Sequence, residues 1–283
     1  TIGLFFANEG TWSNDVHTSQ MVASMIEQAA KLGYHILTYV ITNPSSREAS
    51  DTMKEVFYQR RIDAGLFLGF NNHEPVIEEL IAEGVIAGIF DQHLPERTEP
   101  NRIVVNFDDR TAAAAAIDYL AGLGHRRVAI LNGDLKRNAW QAKYDGYLLG
   151  MERNGIVPNE GWIMFTDFGE NHVDAVLERF LSRKDSLPTA LAAVNDSFAF
   201  AAIRALNHAG LRVPEDISVI GMDGQILSEF FRPALTTFAF DFNAMLKTLV
   251  GAVVGAIENP NQPRRAQSVF PGTLIERESC RRL

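Results

Sequence analysis

The stretch 197-SFAFAAIRALNHAGLRVPEDISVIGMDG-224 decides the fold. Residues 197–210 carry apolar side chains at helical spacing and stop at Gly210. Pro214 and two acids follow, and then a near-continuous apolar strand at 216–222, with Ile217, Val219 and Ile220 around Ser218. Strands of that kind lie in parallel sheets covered on both faces by helices. This one ends on a lone carboxylate, Asp223, with Gly224 behind it. An acid at the end of a buried strand needs a reason.

Outward from this point the same alternation covers the chain. Strands are expected at 2–6, 34–41, 64–70, 85–90, 102–107, 127–133, 161–166 and 189–195. Helices are expected at 19–33, 46–61, 74–84, 110–124, 139–155 and 171–184 between them, with 242–260 as a last one. In the first helix Met21, Val22, Met25, Ile26, Ala29 and Ala30 form the apolar stripe. The segment 268–280 reads as two short closing strands. Alternating strands and helices mean a doubly wound α/β architecture. Around ten strands are too many for one comfortable sheet, so two similar halves are expected, with the polar, proline-containing segment 91–102 as the break.

The totals bound the rest. A chain of 283 residues, 46% of them hydrophobic, can bury a sizeable core. Net charge is −9, and no long basic run offers nucleic acid a surface. Cys280 is the one cysteine, so no intrachain disulfide can form and a reducing, cytoplasmic setting fits. The first ten residues already look like a core strand rather than a leader, and no apolar run is long enough to span a bilayer.

Ligands of parallel sheets bind beyond the carboxyl ends of the strands. The residues there are Asn8, Asp91, Asn132-Gly133, Thr166-Asp167-Phe168, Asn195-Asp196 and Asp223-Gly224. Carboxylates and amides converging with aromatics suit a small polar molecule. Each also has a plainer reading. Asn195-Asp196 caps the helix that starts at Ser197, with Asp196 the better cap, which would free Asn195. Asp91 and Asp223 serve as turn residues, and Phe168 and Phe240 suit a core as well as a ligand wall. Trp12, in a polar loop, is harder to hide. Signatures of catalysis are missing: the seven histidines are scattered without metal-ligand spacing, and there is no nucleophile elbow and no P-loop. Gly122-Leu123-Gly124 lies at a helix end before a strand, the reverse of a dinucleotide site. No enzyme, cofactor or metal is expected.

The runs 123–133 (LGHRRVAILNG), 195–224, 232–238 (RPALTTF) and 274–280 (LIERESC) resemble the LacI/GalR family of bacterial transcription regulators over essentially the whole chain. That resemblance implies a periplasmic-binding-protein-like, type I fold: two doubly wound parallel-sheet subdomains, 1–105 plus 241–268 and 106–240 plus 269–283, joined by three crossovers. It implies a small polar effector in the cleft between them, a sugar first and a purine or nucleoside second. A homodimer is implied, with the helix at 74–84 and Leu227, Phe230 and Phe231 as candidate surfaces. Operator DNA would be read by a helix-turn-helix that this chain does not contain. By the same resemblance Asp91, Asn195, Asp223, Lys143, Arg137 and Phe168 contact the effector, and Asn8 and Trp12 lie near it. Lys143 stands where the family usually has an arginine, Gln92 replaces a frequent arginine, and Phe240 replaces a frequent glutamine. A periplasmic sugar carrier of a transporter is the alternative reading.

Overall fold

The computed structural model describes residues 1–7, 16–94, 96–135, 138–166, 170–182, 187–260 and 267–283. The elements run β1 (Ile2–Ala7), α1 (Val16–Lys31), β2 (Ile36–Ile41), α2 (Arg47–Tyr58), β3 (Ala64–Leu68), α3 (Pro75–Ala82), β4 (Ala87–Phe90) and β5 (Arg102–Phe107). Then come α4 (Asp109–Gly122), β6 (Val128–Gly133), α5 (Asn138–Arg153), β7 (Ile163–Thr166), α6 (Glu170–Leu181), β8 (Ala190–Ala193), α7 (Asp196–His208) and β9 (Ser218–Asp223). The chain closes with α8 (Leu227–Phe230), β10 (Thr236–Ala239), α9 (Phe242–Glu258), β11 (Gln267–Phe270) and β12 (Thr273–Ile275).

Two compact units result. The first comprises Thr1–Phe107 and Asp241–Phe270, the second Asp108–Phe240 and Pro271–Leu283. Each holds a six-stranded sheet, ordered β11-β5-β4-β3-β1-β2 in the first and β12-β10-β9-β8-β6-β7 in the second. The orders match position for position. Every strand pair is parallel except β10 with β12, which run antiparallel. In both sheets the order reverses beside the first strand of the unit, between β1 and β3 and between β6 and β8. Such reversals open a crevice at the carboxyl ends.

Local sequence explains the helix starts. Ser46 caps α2 by accepting from Ala49 N, and Asp108 caps α4 by accepting from Thr111 N. Pro75 opens α3, where its missing N–H is no loss, and Asp241 caps α9 through Ala244 N. In unit 1, Phe5, Met53, Phe67, Ile77 and Leu80 centre the core on one face of the sheet. In unit 2, Leu131, Leu191, Phe198, Ile203 and Val219 do the same. His125 explains the GHRR motif: its ring nitrogens lie 3.0 Å from Thr189 Oγ1 and 3.0 Å from the Arg281 carbonyl, pinning the C-terminal tail to the start of β6.

Some expectations shift. In α1 the stripe is Met21, Val22, Met25 and Ala29, whereas Ile26 and Ala30 turn outward. β2 is an edge strand with Leu37 and Val40 exposed, not a strand covered on both faces. β10 and the short α8 were not expected; each is four residues, too short to show a period. The candidate surface at 74–84 spends its apolar residues inside unit 1, since Val76, Ile77, Leu80 and Ile81 are all buried. Leu227 and Phe230 are exposed, while Phe231 stacks on Phe200 at 4.6 Å.

Candidate functional site

The carboxyl-end pole of unit 2 gathers polar groups from five elements. α5 carries Lys143 inward, and the residue is only 5% exposed. Its Nζ donates to the Val194 carbonyl at 3.1 Å and to Asp223 Oδ1 at 2.9 Å, and lies 3.5 Å from Asp109 Oδ1. One turn along α5, Tyr147 donates its hydroxyl to the Ala193 carbonyl at 2.9 Å. Burial opposes the charge on Lys143, but Asp223 and Asp109 outweigh it and hold the ammonium well above its ordinary pKa. Lys143 therefore stays protonated between the two carboxylates.

Asp223 closes β9 with φ of 97°, in the left-handed region that non-glycine residues avoid. Gly224 follows at φ of 74°, and a Cβ there would come within 2.3 Å of the Ala239 Cβ, so glycine alone fits this bend. Backbone held this way costs on the order of 1–3 kcal/mol and persists only where the surroundings fix it. The bend directs the carboxylate onto Lys143. Asp223 Oδ2 accepts no hydrogen bond among the described residues, and the side chain keeps 19% exposure. One acceptor thus remains open to solvent.

The cap of α7 is the reverse of the expectation. Asn195, not Asp196, is the N-cap, its Oδ1 accepting from Phe198 N at 2.8 Å. Asn195 adopts extended backbone, which lets its side chain curl over the first turn. Asp196 already has its side chain behind the sheet end, fully buried. There its Oδ2 accepts from Gln225 N at 2.6 Å and Ser228 Oγ at 2.7 Å, and its Oδ1 from Thr237 Oγ1 at 2.6 Å. Burial pushes the Asp196 carboxyl up to about 7, with the Asp223 charge adding to it and the Thr237, Ser228 and Gln225 donors opposing. Asp196 ties the turn after Asp223 to α8 and β10.

At the order reversal of sheet two, Asn132 is fully buried and donates to the Gly133 and Trp140 carbonyls. Its Oδ1 accepts nothing among the described residues. Gly133 allows this approach, because a Cβ there would fall 1.8 Å from Trp140 Cε3. Phe240 is buried, with its ring against Gly272, and its N–H reaches toward the Asp223 carbonyl at 3.5 Å.

Of the expected site residues, the structure brings Lys143 and Asp223 into direct contact, with Asn195 next in sequence to the Val194 carbonyl that Lys143 bonds and the Phe240 N–H 3.5 Å from the Asp223 carbonyl. Asp91 belongs to unit 1, just past β4, with φ of 65° and its Oδ1 3.2 Å from His93 Nε2. Beside it Gln92 turns inward, accepting from Arg102 at 2.7 Å. Asn8, Trp12, Arg137 and Phe168 lie outside the described residues. Asp109 and Tyr147 were missed, and Asp196 was expected only as the cap of α7. Asp109 follows the capping Asp108 and reads as a second surface acid, and the partners of Asp196 stand some thirty to forty residues away in sequence.

Comparison with known proteins agrees with this geometry. Residues 117–280, more than half of the chain, match the family described as periplasmic binding protein-like domain. The HTH-type transcriptional repressor PurR of Aliivibrio salmonicida (strain LFI1238) is 28% identical over 225 residues, covering 80% of this chain and 66% of its own length. Among solved structures, a transcriptional regulator CelR–cellobiose complex superposes with a TM-score of 0.86 at 21% identity, over 98% of this chain and 84% of that one. The lac repressor dimer bound to operator and the anti-inducer ONPF gives 0.83 at 23% identity, over 99% and 93%. The chain therefore belongs to the periplasmic-binding-protein-like domain family, and the relatives it resembles are HTH-type transcription regulators of which it spans about two thirds.

Proposed function

We propose that this chain senses a small hydroxyl-rich effector, a sugar, and passes the event to a DNA-reading module that the chain does not include. The observation that carries this is Asp223. A strand end strained into the left-handed region, with one carboxylate oxygen on a buried lysine and the other open, is built to accept a hydrogen bond from a hydroxyl. Asn195 extends the set of polar contacts, and on the family resemblance Asp91 and Phe240 join it. Arg137, Phe168, Asn8 and Trp12 complete it on the family resemblance. The cellobiose bound by CelR supports the sugar class; a purine or nucleoside is the second.

Regulation is read as a population shift. An effector that binds one conformation better moves the equilibrium between two states by its differential affinity. The chain works as a homodimer in the cytoplasm, where the operator is. The dimer form of the lac repressor supports the first point, and exposed Leu227 and Phe230 offer apolar surface for a second copy. No described helix is long and apolar enough to cross a membrane.

A thermal-shift panel of sugars and nucleosides tests the reading. A true effector at ~100 times its dissociation constant stabilises the fold by about 2.7 kcal/mol. Asp223→Asn should abolish that shift while the protein still folds. Full retention of affinity in Asp223→Asn would remove Asp223 from the site.

A further inference from the structure

The electrostatics of the unit 2 pole restrict which effectors it can hold. A lysine ammonium offers three N–H donors. In Lys143 one goes to the Val194 carbonyl at 3.1 Å and one to Asp223 Oδ1 at 2.9 Å, and Asp109 Oδ1 stands 3.5 Å away. The lysine side chain is 7% exposed and that of Asp109 1% exposed, so neither charge is relaxed by bulk water. The cation is neutralised from within the protein. Tyr147, 2.9 Å from the Ala193 carbonyl, lies in the same field: burial raises its pKa, and Asp223, Asp109 and Asp196 raise it further against the pull of Lys143.

A lysine at the end of a parallel sheet would ordinarily be read as an anchor for phosphate or carboxylate. Here it is not available to an incoming anion, because binding one would mean displacing a buried carboxylate or facing it. We propose that Asp109 sets the charge class of the effector: together with Asp223 it neutralises Lys143, so that this corner of the pole accepts a neutral hydroxyl-bearing group and rejects phosphate and carboxylate. The inference rests on the reading of this pole as the effector site, and it narrows sugars to unphosphorylated ones.

The test titrates the 283-residue chain and its Asp109→Asn variant with glucose, cellobiose, glucose 6-phosphate and inorganic phosphate. Calorimetry and thermal shift are both read, at ionic strength matched with chloride. In the wild type a neutral sugar should bind at least about tenfold tighter than its phosphate ester, and inorganic phosphate should move the melting temperature no more than chloride. Asp109→Asn should narrow the sugar ratio by about tenfold and let inorganic phosphate stabilise the fold. A wild type that prefers the ester, or a ratio unchanged by Asp109→Asn, overturns the proposal. If no sugar binds in either form, the sugar reading above fails, and inorganic phosphate still decides the charge class. Stabilisation by phosphate in the variant alone supports the proposal; stabilisation in the wild type, or in neither protein, overturns it. Should Asp109→Asn fail to fold, Asp109→Ser removes the same charge with a smaller side chain.

Discussion

Arg102 in unit 1 and Lys143 in unit 2 are both buried cations, and each faces two carboxylates. Arg102 makes a two-pronged contact with Glu78 at 3.1 and 2.6 Å, bonds Glu99 at 3.0 Å and donates to Gln92 at 2.7 Å. Its glutamates keep 20% and 31% of their side chains in water. The planar guanidinium matches its partners donor for acceptor, and the result ties β5 to α3 and to the segment before it. Lys143 has drier partners, a point charge in place of a fork, and an acceptor of Asp223 left over. The difference teaches how to tell a structural buried ion from the arrangement proposed above for a ligand. The structural one is closed on itself; the other leaves one hydrogen-bonding valence facing out.

The largest expected effect comes from breaking the drier cluster. Lys143→Met removes the buried cation that Asp109 and Asp223 share and should cost about 3–5 kcal/mol in urea unfolding. Arg102→Met should cost less, because Glu78 and Glu99 can rehydrate. If Arg102→Met proves the more damaging, burial of the partners is not what ranks the two sites. Next in size is a pH effect. Burial raises the Asp196 carboxyl from its ordinary value to about 7, so the folded protein binds the proton more tightly than the unfolded chain does. Its contribution is fully present below about pH 4 and is lost as pH rises toward 7, by a few kcal/mol over the window. Unfolding free energies of wild type and Asp196→Asn between pH 4 and 8 check this; parallel profiles would remove Asp196 as the cause.

Two smaller tests sharpen the contrast between strand ends. Gly133→Ala drives a methyl into Trp140 and should cost about 1–3 kcal/mol through overpacking, read as a lowered midpoint with unchanged slope. Asp91 and Asp223 share a left-handed backbone but not a buried partner. Asp91→Gly should therefore shift stability by less than about 1 kcal/mol, while Asp223→Gly should lose more because Lys143 is left short of a counter-charge. Equal melting temperatures for the two variants would mean that Lys143 gains little from Asp223.

Much of this was legible in the sequence because it is local. Apolar runs such as 128–131 and 218–222 admit little besides core strands, and the residues that end them are the ones found at the pole. The two-unit plan followed from strand count, but the polar segment 91–102, expected as the break, instead joins β4 to β5 within the sheet of unit 1, and the first crossover comes after Phe107. What sequence could not give is non-local pairing. Adjacent Asn195 and Asp196 have similar capping chemistry, and only the distant hydroxyls of Ser228 and Thr237 decide that Asp196 points backward. Asp109 is one of two consecutive acids in NFDDR, and nothing in that string says that one caps the helix and the other meets a lysine on α5. The outward turn of Ile26 follows from a few tens of degrees of helix rotation, which a stripe of six apolar residues does not specify.

The short tail that supplies β11 and then β12 also governs timing. Unit 1 needs α9 and β11, and unit 2 needs β12, so neither is a continuous stretch of chain. Within this sequence α9 comes only after some 240 residues, and the last strand of each sheet only near the end. Until then both sheets present an open edge, and nascent chains of this length are the ones most exposed to mispairing and most dependent on chaperones.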